Sequence, residues 1–74
     1  MGDEVKVVLI EKQSGGELVP IDERLWSKGM FSALEHANYL TVDGREYEMV
    51  EGRLNVDNGK LELLVVAVTY GKRL

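Results

Sequence analysis

The 74-residue sequence has no cysteine and only one proline, one histidine, one tryptophan and one phenylalanine. Without cysteine it has neither a disulfide staple nor a thiolate nucleophile. A single histidine, His36, cannot by itself build a histidine metal site or complete a Ser-His-Asp relay. Long apolar runs are missing too. The longest, Leu63 to Val68, is far short of the ~20 residues a membrane helix needs. Cationic clusters are scarce: nine Lys and Arg stand against thirteen Asp and Glu, a net charge of -4, and only Lys72-Arg73 puts two basic residues side by side. A surface that reads phosphates needs clustered Lys and Arg, so neither a nucleic-acid nor a membrane partner is expected. The start, Met1-Gly2-Asp3-Glu4, is acidic and lacks a signal-peptide pattern, so a cytosolic protein is expected. A domain this small buries only about 60–65% of its unfolded surface, and oligomerisation is the common remedy still available to it.

What is present is a set of strand and turn signals around one apolar stretch. Leu61 to Tyr70 contains an unbroken apolar run rich in β-branched residues, Leu63 to Val68, which fits a strand buried on both faces better than a short helix. Val5 to Glu11 reads as a first strand, with Val5, Val7 and Leu9 on one side and Lys6, Val8 and Ile10 on the other. Ser14-Gly15-Gly16 is a turn, and Glu17 to Ile21 is a returning edge strand or a loop, because Pro20 cannot donate a ladder hydrogen bond. Asp22 to Asn38 is predicted as a helix, capped by Asp22 and weakened by Gly29. A broken pair is the alternative, its second member starting at Ser32 with the capping box Ser32-Ala33-Leu34-Glu35. Tyr39 to Val42 and Arg45 to Val56 form a hairpin around Asp43-Gly44, and Asn58-Gly59 turns the chain into the last strand. Gly52 is expected to mark a bulge, which would bring Tyr47 and Met49 onto the same face as Leu54 and Val56.

These elements predict one α+β domain over residues 1–74, in the order β-(β)-α-β-β-β. A small single-layer antiparallel sheet of four or five strands would pack against one helix or a broken helix pair. The first strand could lie at either edge or at the centre. The helix is assigned to the face that collects Leu40, Val42, Tyr47 and Met49 with Leu54, Val56, Leu61, Leu63, Val65 and Ala67. The other face mixes Glu46, Glu48, Arg53 and Glu62 with Leu64, Val66, Val68 and Tyr70. One helix covers one face, so an apolar stripe rimmed by carboxylates is left over, and such stripes serve as contact sites. The alternative is that the first strand curls the sheet into a small barrel and hides Leu64 and Val66 inside.

Few residues carry chemistry. His36 reads as a helix-surface histidine, with Ser32 one turn before it in a poor geometry for a nucleophile and base. Glu46, Glu48 and Glu51 could hold a proton or a hard cation, but a solvated strand face accounts for them as well. Ser14-Gly15-Gly16 lacks the Lys-Ser/Thr of a phosphate loop. Trp26 is assigned to the core. No catalytic residue, metal or cofactor is therefore expected. The chain reads as a small acidic, non-enzymatic interaction module. It would self-associate, as a homodimer, or bind a protein through Leu64, Val66, Val68, Tyr70 and Tyr39 on the C-terminal strand face. An enzyme using His36 and a carboxylate across subunits is the weakest reading. A small-molecule-binding oligomeric carrier is the alternative.

One resemblance bears on that alternative. Glu46-Tyr47-Glu48-Met49-Val50-Glu51, Asp57-Asn58-Gly59-Lys60 and Tyr70-Gly71-Lys72-Arg73-Leu74 faintly resemble the last hairpin of dodecins. Dodecins are small β-α-β-β flavin-binding proteins that assemble into hollow shells. The resemblance covers under half the chain. Trp26 lies within or before the expected helix, not after it, and the Asp43-Gly44 hairpin departs from the dodecin pattern. No site residue carries over.

Overall fold

The computed structural model describes residues 4–68. Its elements are β1 (Val5–Lys12), β2 (Leu18–Trp26), α1 (Lys28–Leu34), β3 (Tyr39–Val42), β4 (Arg45–Asn55) and β5 (Lys60–Ala67). They form one five-stranded sheet in the order β2-β1-β5-β4-β3 with a single short helix, the α+β arrangement expected from the sequence. β1 and β5, the two strands with apolar side chains on both faces, sit at the centre. They pair in parallel, Lys6 beside Lys60 through Glu11 beside Val65, so the sheet is mixed and not wholly antiparallel. The long excursion through β2, α1, β3 and β4 makes this possible, since parallel neighbours need a crossover connection.

The helix is much shorter than the predicted Asp22 to Asn38. Asp22 to Trp26 instead completes β2, with Asp22, Arg24 and Trp26 opposite Leu9, Val7 and Val5 of β1. Pairing with β1 satisfies these backbone groups, and the side chains alternate as well for a strand as they repeat for a helix. Pro20 is accommodated because β2 is an edge strand, as expected. The true helix cap is Ser27, whose Oγ accepts from the Met30 amide at 3.3 Å. Asp22 caps nothing and binds Arg24 instead, while Ser32 lies inside the helix.

The glycine-containing turns follow the sequence, including Ser14-Gly15-Gly16, where Gly16 has φ 92°. Asp43 and Gly44 have φ values of 52° and 79°, the two positive angles of a tight hairpin, and Gly59 has φ 70°. The register of β4 against β5 slips between Met49 and Glu51, so Val50 is the extra residue and not one at Gly52. Tyr47, Met49 and Leu54 still share a face, as expected. Gly52 serves a different end: it lies opposite Leu63, and a Cβ there would stand 3.3 Å from that side chain.

The core lies on the helix side of the sheet. Val7, Leu9, Trp26 and Leu63 are buried together, with Phe31 and Leu34 of α1 packed against them. The Trp26 and Phe31 rings meet at 5.6 Å between centroids, tilted by 48°. A seven-residue helix is only about 10 Å long, so it cannot cover the whole face. Leu54 is 62% exposed, and Val56, past the end of β4, is 80% exposed, contrary to their expected place under the helix. In a flat sheet the outer strands would be ~19 Å apart. Asp22 and Arg24 of β2 nevertheless line one cleft with Val42 and Asp43 at the end of β3. The sheet is thus curled into a half-barrel, concave on the core side.

Candidate functional site

Of the sequence-predicted contact residues, the outer, convex face carries Leu64, Val66 and Tyr39. Leu64 and Val66 of β5 point outward, half-buried among their neighbours, with Val68 just beyond the strand. Curling has not enclosed them, because the barrel closes around the opposite face. Ile10 lies directly beside Leu64 in the parallel register, and Val8 precedes it on the same side of β1. Leu18 and Leu25 extend the apolar surface onto β2, where they are 57% and 53% exposed. A shallow hollow of ≈ 130 Å³ lies where Ile10, Leu18 and Leu64 meet Arg53 and Glu62. Tyr39 is on this face too, but two strands from Val66, with Glu48 between them. Tyr70 lies outside the described residues. Among the described residues, no element covers this face.

The stripe is framed by ion pairs. Glu62 accepts hydrogen bonds from Arg53 Nε at 2.7 Å and from Asn55 Nδ2 at 3.1 Å. These bonds, Arg53's first, hold its carboxyl below the usual carboxylate value. At one end Glu23 takes contacts from Lys60 and Lys6. Glu46 and Glu48 mark the other end and share the face, as their spacing required; Glu46 is half-buried and Glu48 exposed. His36 is exposed after the helix. Among the described residues there is no group of three or more His, Cys, Asp or Glu side chains able to hold a metal ion, and no helix long and apolar enough to cross a membrane.

Sequence reasoning missed two things. Val8 and Ile10 belong to the stripe, and their parity in β1 was readable; only the placement of β1 beside β5 was not. The second is the concave cleft of ≈ 340 Å³ between α1 and the two edge strands. Leu9, Trp26 and Leu34 form its floor, Leu40 and Val42 one wall, and Asp22, Arg24 and Asp43 line it as polar groups. Arg24 donates from Nε and Nη2 to the two Asp22 oxygens, both at 2.8 Å. That bidentate contact, with the Asp22 charge and the nearby Asp43, raises the guanidinium above its ordinary value.

The chain matches no family model, no curated protein and no solved structure. None of these comparisons brings up a dodecin, so the resemblance rests on the tail hairpin alone.

Proposed function

We propose that this chain is a non-catalytic interaction module that pairs with a second copy of itself through the outer face of its sheet. The observation that carries this reading is the contiguous stripe of Val8, Ile10, Leu64 and Val66, rimmed by charges and open among the described residues. Part of the rim can pair with its own copy, although Glu51, level with Leu64, would meet its like. Along β4 the outward side chains run Glu46, Glu48, Glu51, Arg53. A two-fold axis crossing the strands at Leu64 lays β4 on its own copy in reverse, which sets Arg53 of one copy against Glu48 of the other.

Size decides how strong such a pair can be. The face is convex, so the three central strands make the contact. Three strands of eight residues cover about 15 by 26 Å, or about 400 Å² per copy and 800 Å² in total. Stable interfaces bury about 1,200 Å² or more, so the pairing belongs to the weak, reversible class.

Light scattering coupled to size-exclusion chromatography tests this across a wide range of loading concentrations. The mass is expected to rise toward the dimer with concentration, and Val66→Glu is expected to abolish the rise while leaving the circular dichroism of the sheet intact. A mass that stays monomeric at millimolar loading would sink the proposal. So would a Val66→Glu chain that still dimerises.

A further inference from the structure

The concave cleft is a separate feature on the opposite side of the sheet from the stripe, and the self-association makes no use of it. We propose that it binds a small amphipathic molecule with an apolar tail and a cationic head. Three observations lead there. Its volume, ≈ 340 Å³, lies at the lower end of the roughly 300–1,000 Å³ usual for ligand pockets. It would hold about ten non-hydrogen atoms at roughly 30 Å³ each. Its floor and wall are apolar and include Leu9, Leu34, Leu40 and the buried Trp26, which suits a hydrocarbon tail. Its charged groups are two carboxylates, Asp22 and Asp43, against one guanidinium, Arg24. One negative charge is therefore left over among them.

That balance favours a positive head over a negative one. Arg24 does not reverse the preference, because Asp22 already occupies two of its donors in a bidentate contact. A head-group amine placed at the lip would meet Asp43 in the turn after β3, while the tail runs inward past Ala33 and Ala37 toward Trp26. The two alanines leave the space open on the helix side.

Trp26 is the only tryptophan, so its emission reports on this cleft. The full chain would be titrated with octylammonium, octanol and octanoate, each below its micelle concentration. The expected result is a saturable change in Trp26 emission, with octylammonium at least about fivefold tighter than octanoate, the size of an exposed charge-pair effect. Asp43→Asn is expected to shrink that preference toward unity. Ala33→Phe fills the cleft and is expected to abolish the change; Ala37→Phe does the same from the loop after the helix if the first variant fails to fold. Val66→Glu, on the outer face, is expected to leave the titration unaltered, which separates this site from the self-association. The absence of any saturable change overturns the site. Octanoate binding as tightly as octylammonium overturns the head-group assignment. Loss of the signal in Val66→Glu would move the ligand to the outer face and overturn the cleft.

Discussion

The carboxylate of Glu23, on β2, stands 3.0 Å from Nζ of Lys60 on β5, reaching over the intervening strand β1, whose own Lys6 is 3.8 Å away. Glu23 thereby ties three adjacent strands together at one end of the outer stripe. The hydrogen bond from Lys60, aided by the charges of both lysines, holds the Glu23 carboxyl below its ordinary value. This contact depends on β2 and β5 both flanking β1, which keeps them one strand apart.

Acid sensitivity follows from Glu23 and Glu62 together. Both have carboxyls lowered from the ordinary 4.5. As the pH falls, the unfolded chain takes up these protons before the folded one does. The stabilisation is whole above about pH 5 and is lost as the pH drops below 4.5 through the lowered values of the folded protein. Thermal melts from pH 7 to pH 3 are expected to fall only on the acid side. Glu62→Gln is expected to fall less steeply there than the parent chain. An identical acid slope would mean that the Arg53–Glu62 contact does not hold in solution.

Adjacent leucines in β5 are expected to behave very differently. Leu63 is 3% exposed and faces the core, while Leu64 faces outward. Leu63→Ala leaves a cavity and is expected to cost about 3 kcal/mol. Leu64→Ala is expected to cost about 1 kcal/mol or less in the monomer. Urea titrations of the two variants decide this, and equal costs would contradict the register of the sheet.

The helix boundary is open to a similar check. Removing the cap with Ser27→Ala is expected to cost about 1 kcal/mol. Ser32→Ala, at the capping box suggested by the sequence, is expected to be close to neutral, since Ser32 lies within α1. Denaturation midpoints give the comparison, and the reverse ranking would restore a second helix starting at Ser32.

Local signals carried much of this fold. Asp43-Gly44 set its hairpin because two consecutive residues must take positive φ, which few pairs tolerate. The change of parity between Met49 and Leu54 required one extra residue, and Val50 supplies it. Alternation then placed Leu64, Val66 and Val68 opposite Leu63 and Val65 without any knowledge of partners.

The rest was decided by contacts between distant parts of the chain. Asp22 to Trp26 satisfies a helical and an extended pattern alike; pairing with β1 settles it, and periodicity holds no record of that pairing. The parallel match of β1 with β5 joins residues more than fifty positions apart, such as Lys6 and Lys60. The cleft depends on the curl of the whole sheet, which brings Asp22 and Arg24 of one edge strand toward Asp43 beside the other. Thus the sequence by itself determined which residues of β1, β3, β4 and β5 share a side, since side chains must alternate. Only the tertiary structure decided which strands lie together, because backbone pairing is much the same for every residue and the choice falls to the packing of the assembled core.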